Sequence, residues 1–321
     1  MKAIIFSTIL FGTTSTAVFA TEHLETLLDK NEYQALEQAV TDKSQLTYWQ
    51  GRAALHQDKL DQAETLLENA ATAFPNDPDK QFWFGVVNLK QASNASIFSA
   101  PGYAKKGKAQ LTKVLAIDPK HKGALSAMFE YMLHAPSIVG GSTDKAKQLA
   151  QQLNTIDPNI GAIHYLKLFR KLKNEIKEQE TALAILNSDK SNGAALLAAG
   201  FSFQRAEYYD LAHQAFTQAN LRADKRGKYT KLQSRYQIGK TAMLSNKNIN
   251  EGISSLEQYL ANEINSKLPE KTWANYRLAS LHLMNNEHIK AREILNKELN
   301  DVEDKGLQKR VKVLKQQLST I

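Results

Sequence analysis

The chain has 321 residues, 42% of them hydrophobic, a formal net charge of +8 and no cysteine. That length holds two ordinary domains or one array of repeats, and that apolar fraction buries a core rather than leaving the chain disordered. Disulfides, thiolate nucleophiles, cysteine-held zinc and lipid attachment through a cysteine are excluded, while 15 glycines and 7 prolines beside abundant Ala, Leu, Gln and Lys favour helix over an all-β fold.

Residues 1–20, MKAIIFSTILFGTTSTAVFA, read as a signal peptide. Lys2 precedes an apolar run from Ala3 to Gly12, and Val18 and Ala20 occupy the −3 and −1 places of a cleavage site. The run is too short to span a bilayer, so a retained anchor and stable membrane insertion are not expected. Cleavage near Ala20 would leave a periplasmic or secreted chain held together by packing alone.

A short helical hairpin is expected over 21–43, and from residue 44 one set of offsets recurs. Gly51 is followed by Ala63 twelve residues on, Leu67 four further, Ala70 three further, and then Pro75. Gly200, Ala212, Phe216 and Ala219 keep the same offsets, as do Ala279, Ala291, Leu295 and Glu298. The pattern describes a pair of antiparallel helices, A and B. A small residue lets helix A approach closely, and positions three and four apart put a small–large–small row on one face of helix B. The polar segments HQDKLD, QRAEYYD and MNNEHIK make the turns, and Pro75 ends a helix it cannot continue.

Two departures lengthen the repeats. The stretches 92–107 and 134–145 are surplus to the period and are expected as elongated loops, each with Ala-Pro followed by glycine. Within the first, GYAKKGKA (102–109) matches most of a phosphate-cradling loop. Ala109 stands where the metal-binding hydroxyl belongs, no central strand precedes it and no acidic strand end follows, so no nucleotide is expected there. In the second, Gly140 and Gly141 precede Ser142 and Thr143, which read as a plain helix cap in preference to an anion site. The eight histidines form neither HExxH nor another close ligand set, and there is no G-x-S-x-G elbow. No catalytic residue, metal or cofactor is assigned.

The offsets resemble those of the tetratricopeptide repeat family, and the likeness covers nearly all of the chain beyond residue 20. VLAIDP (114–119) and LNTIDP (153–158) look like that family's usual end of helix B. The paired elongations resemble exported bacterial members of the family, a likeness that supplies no activity. The resemblance implies an all-α superhelical solenoid of about seven repeats over 44–226 and 227–321, closed by a capping helix at the C-terminus. The fourth repeat is degenerate, with Glu178 and Ala182 at the small and large places.

The resemblance also implies an inner groove lined by A helices. Its facing positions here include Tyr48, Arg52, Phe82, Met128, Tyr131, Lys167, Arg170, Phe201, Tyr236, Lys240, Trp273 and Tyr276. Aromatic and basic side chains of this kind often carry interface energy. The stretch 222–240 holds seven basic residues against one Asp, and 305–315 holds five and no acid. These features lead to an expected scaffold or adaptor that binds a protein or peptide, acidic or extended, with neither nucleic acid nor catalysis. The alternative is a periplasmic carrier of a small solute or lipid. The basic stretch 222–240 reads either as a binding face or as a hinge.

Overall fold

The structure, a computed structural model, describes residues 13–223, 227–264 and 268–320, with side chains from residue 21 onward. The signal-peptide reading falls on residues 1–20, of which 1–12 lie outside the described residues and 13–20 are described in backbone alone. Among the described residues there are seventeen α-helices and no strand. Backbone contacts group the chain into two units, 1–149 and 150–321.

The first unit opens with α1 (Thr13–Asp29) and α2 (Tyr33–Ala39). Then come the pairs α3 (Lys43–His56) with α4 (Leu60–Ala73), and α5 (Pro78–Asn94) with α6 (Ala100–Ile117). After α7 (Lys122–His134) comes α8 (Thr143–Ile156), within which the unit boundary falls. Asp42 and Asp77 start α3 and α5 by accepting hydrogen bonds from the first free backbone amides, and Pro78 fits the first turn, where no amide bond is missed. The core is a row of A-helix aromatics against B-helix aliphatics, with Leu36, Ala63, Leu67 and Val87 fully buried.

The second unit continues with α9 (Pro158–Lys171), α10 (Glu175–Leu186), α11 (Gly193–Arg205), α12 (Tyr209–Leu221), α13 (Lys228–Ser245), α14 (Ile249–Leu260), α15 (Lys271–Met284) and α16 (His288–Glu298), with α17 (Lys305–Ser319) as the cap. Successive helices pack against one another from α9 through α16, and α17 closes on α15 and α16. The small-to-large rule is visible atom by atom. A Cβ on Gly200 would stand 2.5 Å from Phe216 Cε1, one on Gly51 2.8 Å from Leu67 Cγ, and one on Gly239 2.3 Å from Leu256 Cγ.

The regular turns share one geometry. Asn31, Asp58, Lys173, Glu207 and Asn286 all take positive φ, between 54° and 62°. In each case the next amide reaches back five residues, as Tyr208 N does to Phe203 O at 2.9 Å and Glu287 N to His282 O at 2.8 Å. This is the left-handed helix cap, in which a side chain costs about 1 kcal/mol against glycine. Glu207→Gly is therefore expected to raise stability by up to about 1 kcal/mol. Urea unfolding checks it, and a loss of stability would contradict the turn assignment.

The surplus residues behave differently from the expectation of elongated loops over 92–107 and 134–145. In the first, α5 runs on to Asn94 and α6 begins at Ala100, so only 95–99 lies between them and the surplus is helix. GYAKKGKA sits inside α6, where Gly107 lets Leu89 pack against the backbone: a Cβ there would lie 2.8 Å from Leu89 Cγ. In the second, a single 3-10 turn spans Ser137–Val139, and Ser142 Oγ accepts from Lys145 N at 3.3 Å as the cap of α8.

The fourth repeat is a full helix pair. Glu178 is 5% exposed at the small position, where it accepts from Ser202 Oγ at 2.8 Å and from the guanidinium groups of Arg205 and Arg170. A carboxylate thus fills the place of an alanine by tying α9, α10 and α11 together. Glu178→Gln is expected to cost about 1–3 kcal/mol, because a buried charge-assisted network loses its acceptor charge. Thermal unfolding measures it, and an unchanged midpoint would show the network to be idle.

Candidate functional site

The first unit spends most of its candidates on its own packing. Arg52, 6% exposed on α3, donates from Nη1 and Nη2 to the two oxygens of Glu25 at 2.9 Å each and from Nη1 to Tyr48 Oη at 3.1 Å. Its guanidinium lies 3.7 Å from the Trp83 ring centroid, a stacked cation. Burial pushes the Tyr48 hydroxyl up to about 12. Tyr48 and Arg52 thus join α1, α3 and α5 instead of facing a ligand, a correction to the groove expectation. Met128 and Tyr131 on α7 are also buried, and Tyr131 Oη donates to Val139 O. Phe82 is half-buried, edge-on to Trp83 and 5.0 Å from the His121 ring.

In the second unit Arg170 is held by Glu178, Lys167 is half-buried on α9, and Phe201 packs edge-on to Phe216 at 5.5 Å. The remaining four candidates converge. Neighbouring A helices α11, α13 and α15 bring Tyr236, Lys240, Trp273 and Tyr276 to one place, with Arg277 among them. Lys240 Nζ donates to Gln204 Oε1 at 3.0 Å, and Gln204 Nε2 donates to Thr241 Oγ1 at 2.8 Å. The Arg277 guanidinium lies 4.9 Å from the Tyr236 ring centroid and 5.0 Å from that of Trp273. It donates to Trp273 O at 2.9 Å, while its Nε is buried without an acceptor.

The electrostatics of this cluster are lopsided. Burial lowers the Lys240 ammonium below the usual lysine range, and the charge of Arg277 lowers it further. Burial lowers Arg277 as well; the hydroxyls of Tyr236 and Tyr276 offset part of this, and Arg310 of α17 adds to it. Among the described residues, no carboxylate is one of the charges acting on either group. Asp304, which accepts from Leu307 N at 2.9 Å and from Trp273, is occupied as the cap of α17. Among the described residues these two half-buried cations, framed by aromatic rings, are left without an anion, and a carboxylate beside them would relieve their mutual repulsion.

Arg277 escapes the position-by-position reading because it falls at the sixth place of helix A, outside the implied set. Its i,i+4 relation to Trp273, one helical turn, was the available signal.

Beside this face, the α15–α16 turn is pinned by Glu287, which accepts from buried His282 Nδ1 at 2.6 Å and from Lys290 Nζ at 2.8 Å. The hydrogen bonds from Lys290 and then His282 hold the Glu287 carboxyl down at about 2. Its folded value lies below the unfolded one, so its contribution is complete above the ordinary glutamate range of about 4.3. It is lost as pH falls toward about 2. Glu287→Gln is expected to flatten the acid limb of the stability profile between those values. An unchanged limb in a pH series of melts would contradict the pinning.

With the geometry in place, the class is plain: an all-α array of antiparallel helix pairs of the tetratricopeptide type. One solved structure supports that fold, and two others show a weaker likeness. Yeast Tom70 is similar at a TM-score of 0.50 and 12% identity, over 87% of this chain and 66% of its own, so the chain spans just under two thirds of that protein. A tetratricopeptide repeat protein from Parabacteroides merdae is similar at a TM-score of 0.43 and 13% identity, over 85% of this chain and 98% of its own. Human IFIT1, solved as a dimer with m7Gppp-AAAA, is similar at 0.41 and 19%, over 87% and 66%. No protein-family model matches the chain, and no curated protein matches it significantly.

Proposed function

We propose that the chain is an exported interaction scaffold that captures an acidic stretch of a partner polypeptide on the α11–α13–α15 face. The observation that carries this reading is the unpaired cation couple Lys240 and Arg277, half-buried between Tyr236, Trp273 and Tyr276. With no carboxylate beside it among the described residues, it costs desolvation and repulsion, and an anionic side chain or chain end would offset both. The rings supply flat apolar walls for the neighbouring residues of the same segment. The helical-repeat fold supports a scaffold in general terms, and residues 1–20 support export.

Photo-cross-linking from position 276 in intact bacteria, followed by capture of the tagged chain from the periplasmic extract, tests the proposal. The expected result is a mature chain beginning at Thr21, joined to a polypeptide through an Asp/Glu-rich segment, with the adduct absent from Arg277→Glu. Adducts to lipid, nucleic acid or nothing, or a protein adduct indifferent to Arg277→Glu, would overturn it.

A further inference from the structure

The turn between α5 and α6 carries Ile97, 82% exposed, and Phe98, 89% exposed. Isolated exposed apolar residues are ordinary, but two adjacent large ones at the tip of a helical hairpin are not, because neither gains anything from folding. The hairpin is also lengthened in a particular direction. The 3-10 turn of Ser137–Val139 meets α6 beside Lys108, whose Nζ lies 2.7 Å from the Cβ position of Gly140. Lys108 is eight residues in from Ala100, so the tip stands about 12 Å beyond that turn. A Cβ placed on Gly102, in the first turn of α6, would meet open space, with no atom from outside its own helical turn within 4 Å.

Charge completes the pattern. From Lys80 to Ile117 the chain has six lysines and no acidic residue. Lys90 is paired with Asp58 at 2.6 Å, and Lys106 with Glu64 at 2.7 Å and Glu68 at 3.3 Å. Lys105 is exposed and has no carboxylate partner among the described residues, and Lys108 lies over the Tyr131 ring at 5.4 Å. These two ammonium stems start about 7 and 12 Å behind the tip along α6.

We propose that this tip is a peripheral membrane-docking element: Ile97 and Phe98 enter the acyl boundary of a bilayer while Lys105 and Lys108 lie among anionic headgroups. The depth fits, since an interfacial element buries its apolar part about 5–10 Å and keeps its cations at the headgroup level. The tip is a narrow turn rather than a groove, which suits a fluid surface better than a shaped protein. Docking of this kind spans nothing, in keeping with the lack of a membrane-crossing helix among the described residues.

The chain has no cysteine, so Ser96→Cys gives a single labelling position for an environment-sensitive fluorophore beside the tip. Co-sedimentation and emission are read with vesicles of phosphatidylcholine alone and of phosphatidylcholine with 30% phosphatidylglycerol. The expected result is a blue shift and binding with the anionic vesicles only. Ile97→Ser with Phe98→Ser should weaken that binding at least about tenfold, and Lys105→Gln with Lys108→Gln by a similar factor, both with unchanged helical circular dichroism. Binding that survives the loss of Ile97 and Phe98, equal binding to neutral vesicles, no binding at all, or a blue shift that rises with protein concentration in the absence of vesicles would each overturn the proposal. The last outcome would assign the tip to self-association.

Discussion

Gly200→Val is expected to destabilise the unit of residues 150–321 by about 3 kcal/mol, the upper end of overpacking costs. The first added carbon would stand 2.5 Å from Phe216 Cε1, 2.6 Å from Cδ1 and 2.9 Å from Cζ. Phe216 is fully buried and packed edge-on to Phe201, so it has no free direction in which to retreat. Helices α11 and α12 must then separate, and contacts along both are weakened together. The chain itself suggests the rescue: Ala279 and Leu295 hold the same two places in α15 and α16 and are both buried. Gly200→Ala with Phe216→Leu should therefore lose less than the two single changes added together, a coupling that urea unfolding of the four-member cycle resolves. Additive losses would mean that this pair does not set the distance between the helices.

Arg277→Glu is expected to reduce affinity for an acidic segment at least about thirtyfold, by the roughly 2–5 kcal/mol that loss of a half-buried charge partner costs. Lys240→Gln should cost about tenfold, one charge-assisted hydrogen bond. The opposite sign is expected for folding: Arg277→Gln should leave stability unchanged or raise it, because it removes a desolvated cation that repels Lys240 and Arg310 and has no anionic partner among the described residues. Arg52, with its bidentate grip on Glu25, serves as the contrast, since Arg52→Gln should destabilise. A groove cation that merely braces the fold would behave as Arg52 does. Binding by anisotropy and stability by thermal melt, on the same preparations, separate the two roles.

The helix pairs were legible in the sequence because their determinant is local: Gly51 with Leu67, Gly200 with Phe216 and Ala279 with Leu295 record the contact in their spacing. The fate of the surplus residues was not. Nothing in ASNASIFSAPGYAKKGK distinguishes a loop from two longer helices until Leu89 is seen against Gly107. Side-chain roles on the A helices were half legible. Tyr48 and Arg52 repeat the tyrosine-and-cation pairing of Tyr236 and Lys240, yet Glu25 on α1 neutralises Arg52 and no acid among the described residues reaches Lys240. That difference depends on which helix lies alongside, which the spacing within one repeat does not encode. Glu178 misled for the same reason, as its partners Arg205 and Ser202 lie in the next repeat.

Titration calorimetry of the chain with an Asp/Glu-rich peptide and its Asn/Gln counterpart, at low and raised salt, addresses the cationic face most directly. The account predicts binding of the acidic peptide alone, weakened by salt and lost in Arg277→Glu with folding intact. Equal binding of the two peptides, or acidic-peptide binding untouched by Arg277→Glu, would contradict it.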